Sequence, residues 1–325
     1  MTQLEIIRRP IAEEFEHFQR MFSNFADTDN PLLREVINHI VQRKGKQMRP
    51  ALTLLFAKLY GGVGEATYNA ALSLELLHTA SLLHDDVVDN SLTRRGQRSV
   101  NAIYGNQVSV LVGDFVLATS LTYMSHTENG EMAKVVAKLA QALSDGELYQ
   151  LLQSHENIVS EEVYFHIIKK KTAALFSACA QLGAMSADAT PEEVAKAAKF
   201  GEFIGICFQI RDDIFDYFPS SDIGKPSGHD IQEGKVTLPL LYALQYGPAA
   251  EAEKMRAMIE GERELNADQV ATLVEFAKAV GGVEYAQAKM KNLAFDAKKL
   301  LDAYPTTPAR EALKSLITYF IERNH

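Results

Sequence analysis

The sequence predicts an all-α fold. Apolar residues recur at three- and four-residue spacings along nearly the whole chain, and no segment alternates as a half-buried strand would. Glycine- or proline-bearing breakers separate the periodic runs. Helices are expected at residues 2–25, 31–44, 47–60, 65–90, 107–125, 129–153, 160–184, 191–217, 236–246, 249–259, 267–279, 281–302 and 307–322. The breakers are Gly61-Gly62, Gly96, Asn129-Gly130, Pro191, Pro219, Gly247-Pro248, Gly281-Gly282 and Pro305. Thr190 before Pro191-Glu192-Glu193 reads as an N-cap followed by proline at the first helical position.

Within this pattern, Asp85-Asp86-Val87-Val88-Asp89 and Asp212-Asp213-Ile214-Phe215-Asp216 stand out, each closing an apolar helical run. Residues four apart share a helix face, so Asp85 pairs with Asp89 and Asp212 with Asp216. His78 and Ser81 extend the first stripe upstream, and Gln209 extends the second. One such motif alone also fits a solvated acidic face, or an N-terminal turn where carboxylates suit the helix dipole. Its recurrence in two apolar helices points instead to cation binding, and magnesium is the expected ion. Mg²⁺ is held by one or two carboxylates, waters and substrate phosphates. Two patches facing each other would clamp one metal-bound diphosphate.

Basic residues surround these motifs. Lys46 and Arg49, in Gly45-Lys46-Gln47-Met48-Arg49-Pro50, sit at a helix start whose backbone N–H groups favour anions. Arg94 and Arg95 follow the first motif, and arginine forks match phosphate oxygens. Lys169-Lys170-Lys171-Thr172 interrupts an apolar helix, and Lys225 and Lys235 follow the second motif. Taken singly, each of these is an ordinary surface charge; their placement gives them meaning.

The 325 residues, 47% hydrophobic and 23% charged, allow one large core or two domains. With no low-complexity linker, residues 1–325 are expected to form a single domain. A net charge of −9 argues against a general nucleic-acid surface. The only cysteines, Cys179 and Cys207, are too few for a disulfide framework, which fits a reducing cytoplasm. Residues 1–9 lack a signal-peptide core. The longest apolar run, 108–124, is short for a membrane span and carries Asp114 at its middle. It is expected to be a core helix, also buried in a subunit interface, without stable membrane insertion.

The ordered set Gly45-Lys46-x-x-Arg49-Pro50, His78-x5-His84-Asp85-Asp86-x-x-Asp89, Arg94-Arg95-Gly96, Val112-Gly113-Asp114, Lys171-Thr172, Phe208-Gln209-x-x-Asp212-Asp213-x-x-Asp216 and Gly234-Lys235-x-Thr237-x-Pro239 resembles the trans-isoprenyl diphosphate synthases. Within that family it is most similar to the long-chain octaprenyl- or heptaprenyl-type enzymes. The resemblance implies an isoprenoid-synthase-type helical bundle around a central cavity, as a homodimer. It assigns isopentenyl diphosphate to Lys46, Arg49, His78 and Arg95. It assigns the allylic prenyl diphosphate to Arg94, Lys171, Thr172, Gln209, Lys225 and Lys235. Three Mg²⁺ ions are expected mainly on Asp85, Asp89 and Asp212, with Asp216, Asp86 and Asp213 assisting directly or through water. The catalytic set is then Asp85, Asp86, Asp89, Arg94, Lys171, Asp212, Asp213, Asp216 and Lys235. The Arg323 region aligns with the family's basic C-terminal tail.

In this family, bulky aromatics four or five positions before the first motif stop chain growth. Those positions hold Ser81 and Ala80, so a long product is expected, with Leu77, Leu74 and residues of the 108–124 run as deeper floor candidates. The alternatives are a short-chain (farnesyl- or geranylgeranyl-type) synthase, a class I terpene cyclase, or a non-catalytic subunit of a heteromeric synthase. The intact second Asp motif argues against the last two. A di-iron bundle would want Glu-x-x-His pairs, and Glu162-x-x-x-His166 has the wrong spacing.

Overall fold

The computed structural model describes residues 2–42, 45–94, 96–156, 158–218, 227–261 and 265–323. In chain order the helices are α1 (Gln3–Arg8), α2 (Ala12–Ser23), α3 (Pro31–Gln42), α4 (Met48–Leu59), α5 (Glu65–Val88), α6 (Val100–Tyr104), α7 (Asn106–Ser125), α8 (Gly130–Glu156), α9 (Glu161–Ile168), α10 (Ala174–Met185), α11 (Pro191–Phe215), α12 (His229–Gln232), α13 (Leu238–Tyr246), α14 (Ala249–Gly261), α15 (Ala267–Ala279), α16 (Gly282–Asp302) and α17 (Pro308–Glu322). The all-α expectation holds.

The departures from the sequence reading are local. The first expected helix is two, divided by a 3₁₀ turn at Arg9–Ile11, because Pro10 cannot donate its N–H to the ladder. The expected 160–184 helix contains a π-helical turn at Lys169–Ala173. A two-residue hairpin, β1 (Thr93–Arg94) with β2 (Gln97–Arg98), turns through Gly96 at φ 74°. It is too short to leave an alternating pattern. Helices α6 and α12, of five and four residues, were missed for the same reason.

The chain forms two compact units. The first comprises Met1–Gln141, Leu175–Gly201 and Ala303–Leu316, and the second Ala142–Ala174, Glu202–Asp302 and Ile317–His325. In the first unit α5 packs on α4 and α7. Helix α5 is apolar around most of its circumference, as a helix wrapped by others must be. Leu72, Leu74, Leu76, Leu77 and Ala80 are all buried. Helix α7 is pinned along it: Ser120 Oγ donates to the Ser73 carbonyl at 2.9 Å and Ser109 Oγ to the Leu83 carbonyl at 3.0 Å. Among the described residues α7 is the one helix long and apolar enough to cross a membrane. In the second unit α13 packs on α15 and α16, close enough that a Cβ on Gly282 would come 2.1 Å from the Pro239 carbonyl oxygen.

Candidate active site

The first acid motif forms the C-terminal end of α5, with Asp89 as the cap residue. Asp85 is half-buried, Asp89 exposed and Asp86 buried. Asp86 accepts a hydrogen bond from Arg94 Nε at 2.6 Å, and its backbone carbonyl accepts from Asn101 Nδ2 at 2.9 Å. Asp86 therefore anchors the hairpin arginine, while Asp85 and Asp89 form the more accessible edge. His84, one residue earlier, places Nε2 3.3 Å from Asp114 Oδ1. The ring lies so close to α7 that a Cβ on Gly113 would come 2.3 Å from it, which explains glycine before Asp114. Of the cations expected here, Arg49 lies 4.9 Å from the centroid of the Phe176 ring. The Lys46 backbone carbonyl accepts a hydrogen bond from the Arg8 guanidinium. Arg95 lies outside the described residues.

A cavity of about 80 Å³ in this unit is lined by His78 and Arg94, together with Glu75, Thr79, Leu82 and Asp86 of α5. The proposed tunnel residues are not among its lining. Leu74, Leu77 and Ala80 are buried in packing, and half-buried Ser81 donates its hydroxyl to the His78 carbonyl at 2.9 Å.

The second motif closes α11. Asp213 is buried, accepting from Tyr164 Oη at 2.5 Å and Gln209 Nε2 at 2.8 Å. Thr172 Oγ1 donates to Gln209 Oε1 at 2.7 Å. Thr172, Gln209 and Asp213 thus form one connected chain, whose links the sequence did not show. Lys171 bridges Glu147 at 2.6 Å and Gln150 at 2.8 Å. Lys235 bridges Glu233 at 2.7 Å. Asp216 spends both oxygens on the backbone N–H groups of His229 and Asp230, at 2.9 and 3.0 Å. Arg323 pairs with Asp212 at 2.5 Å and lies 3.9 Å from the Phe208 ring centroid. A cavity of about 160 Å³ is lined by Lys171, Thr172, Gln209, Asp213, Asp230 and Lys235. Lys225 lies outside the described residues. Sequence reasoning missed Tyr164 and Asp230. A tyrosine and a carboxylate in or beside buried helical turns were the available signals.

Burial pushes the Asp213 carboxyl up to about 8, with Asp230 adding repulsion; Asp230 itself rises to about 6, again mainly through burial. From about pH 4, where an unfolded aspartate ionises, to pH 8, folded Asp213 keeps a proton the unfolded chain has released. Stability must then fall as pH rises, by at most ~1.4 kcal/mol per pH unit for this group. Scanning calorimetry in a chelating buffer should show Tm declining from pH 5 to 8, and a shallower decline for Asp213→Asn. Equal slopes would refute the assignment.

Both motifs sit at helix C-termini, the negative end of the dipole. The N-terminal explanation is thereby excluded, and carboxylates gathered there call for a cation. All donors are hard oxygens, which suits magnesium. Among the described residues no three metal-ligating side chains form one cluster, so neither motif is a complete cage by itself.

The sequence profile of the polyprenyl synthetase family matches residues 30–277, and the chain belongs to that family. Octaprenyl diphosphate synthase of Escherichia coli K12 is 35% identical over 324 residues, covering 99% of each chain. A solved geranylgeranyl pyrophosphate synthase from Bacteroides thetaiotaomicron is 46% identical with a TM-score of 0.86, covering 99% of this chain and 100% of that one. A polyprenyl synthase from Caulobacter crescentus, solved with calcium and isoprenyl diphosphate, is 32% identical with a TM-score of 0.92, covering 99% and 98%. The protein is a prenyltransferase of the polyprenyl diphosphate synthase type.

Proposed function

We propose that the protein condenses isopentenyl diphosphate with an allylic prenyl diphosphate, dependent on Mg²⁺, to make a long all-trans product. The observation that carries this reading is the pair of Asp-Asp-x-x-Asp motifs at the C-terminal ends of apolar helices. Asp85, Asp89 and Asp212 would hold the metal ions, three in number, with Asp216 assisting. Bound there, magnesium would neutralise charge on a departing diphosphate. Lys171, Lys235, Thr172, Gln209 and Arg94 would hold the allylic diphosphate, and Lys46, Arg49 and His78 the isopentenyl one. The allylic C–O bond breaks to release diphosphate, the isopentenyl alkene attacks the resulting carbocation, and the released diphosphate takes up the proton then lost, so the product is one isoprene unit longer. Alignment and exclusion of water keep the cation from hydrolysis. Buried Asp86 has a narrower duty: it fixes the Arg94 guanidinium.

The test is incubation of the purified protein with Mg²⁺, isopentenyl diphosphate and farnesyl diphosphate, with products sized by mass spectrometry. A ladder ending at roughly C30–C50 is expected. A stop at C20 would instead support a geranylgeranyl-type activity, the product class in the name of the Bacteroides relative.

Ser81 and Ala80 are small, one helical turn or so before Asp85, a rise of about 1.5 Å per residue. Ser81→Phe and Ala80→Phe are both expected to shorten the product. Ser81→Phe is the cleaner variant, because Ala80 is buried and a ring there must displace packed neighbours. An unchanged ladder from a folded Ser81→Phe protein would count against the tunnel assignment.

The working form is a cytoplasmic homodimer. Its support is the face of α7 that leaves Val110, Leu111 and Leu121 exposed at 38, 60 and 51%. A Leu111→Glu/Leu121→Glu variant should run as a monomer in light-scattering chromatography; an intact dimer would place the interface elsewhere.

A further inference from the structure

In the chain Gln47 falls between Lys46 and Arg49, two of the residues assigned to isopentenyl diphosphate, and it is only 5% exposed. It begins α4 in the left-handed conformation, at φ 39° and ψ 46°. That region suits glycine and is unfavourable for a residue with a Cβ. One end of its carboxamide pairs with Gln19, Nε2 to Oε1, at 3.1 Å. The other end, Nε2, is buried with no hydrogen-bond partner among the described residues. Turning the amide over would only exchange which end meets Gln19. Gln47 also lines the small cavity that holds His78 and Arg94, with an apolar wall of Ile40, Leu82 and Val100.

An amide buried without its second partner is costly, and such groups normally find one. Here a strained backbone delivers the group to a cavity lined by Arg94, His39 and His78 as well as by the carboxylates Glu75 and Asp86. Strain of this kind clusters where function demands a particular side chain. We infer that Gln47 is a positioning and specificity residue for isopentenyl diphosphate, its amide N–H donating to a diphosphate oxygen. A neutral donor can fix the orientation of an oxyanion already neutralised by Lys46 and Arg49 without adding charge. The inference rests on the assignment of isopentenyl diphosphate proposed above.

The test is titration calorimetry with isopentenyl diphosphate alone, where no turnover occurs, alongside steady-state kinetics. Gln47→Leu is expected to weaken isopentenyl diphosphate binding about tenfold, to raise its KM equally, and to leave the KM for farnesyl diphosphate unchanged. Gln47→Glu, which brings a negative charge to the diphosphate, should weaken binding further. Gln47→Gly should show the same KM rise with an unchanged or higher Tm, because it relieves the left-handed strain. A purely structural glutamine would not raise that KM while stability is preserved. Wild-type-like binding by both Gln47→Leu and Gln47→Glu overturns the inference and leaves the transferase reading standing. A wild-type protein that neither binds nor elongates isopentenyl diphosphate overturns both.

Discussion

Asp85→Ala is expected to lower kcat by about 10³-fold, the loss of roughly 4 kcal/mol of transition-state stabilisation. Asp85 is half-buried in the last turn of α5, one turn from exposed Asp89, where the helix dipole makes anionic charge least welcome. A bound cation would offset that unfavourable placement, and without metal the carboxylate opposes the dipole. Removing it should therefore leave stability nearly intact, or raise it slightly in the absence of metal. Asp86→Asn should differ: it takes the charge out of the 2.6 Å contact to Arg94 and loosens it, so its effect should appear first in the KM of the allylic substrate. Steady-state kinetics at saturating Mg²⁺, with circular dichroism to confirm folding, separate the two. Activity of Asp85→Ala within tenfold of wild type would sink the metal assignment.

Gly201→Ala is expected to destabilise the protein by about 3 kcal/mol, the upper end of overpacking, and Gly201→Val by more. A Cβ at Gly201 would lie 2.3 Å from the Phe176 carbonyl oxygen and 2.6 Å from Ser177 Cα. These are backbone atoms of α10 and cannot swing aside. Ser177 Oγ also donates to the Ala198 carbonyl at 2.9 Å, clamping the two helices at this crossing. Since α11 continues to Asp212, a shift at Gly201 would also move the second motif along its axis. Gly130→Ala is the control, with nothing within 4 Å of the added carbon. Thermal unfolding measures both. Equal melting temperatures would show that the crossing is looser than its geometry.

Much of the site was legible in the sequence because helical periodicity is local. Asp85 with Asp89, and Gln209 with Asp212 and Asp213, fall three or four residues apart on one helix, and spacing alone gives their side. The order of basic motifs carried the family resemblance. The division of labour within each motif was not legible. Asp86 and Asp213 differ from their neighbours by one helical step, about 100°, and that step turns them from the accessible edge to the interior. Their partners, Arg94 and Tyr164, come from a hairpin and from another helix.

Local spacing was enough to give the helical class, nearly all the long helices, and a candidate set of residues for metal and diphosphate, because each is encoded within one or two turns. Folding in three dimensions was needed to bring Asp216 to the N-terminus of α12, Arg323 to Asp212, and the His84 ring against Gly113. It was needed likewise to show that Gln47 lines a cavity with its Nε2 unpaired among the described residues. Most of these are contacts between residues well apart in the chain, and even the Gln47 amide is judged by what surrounds it. Burial and close approach depend on which elements meet, which no local spacing records.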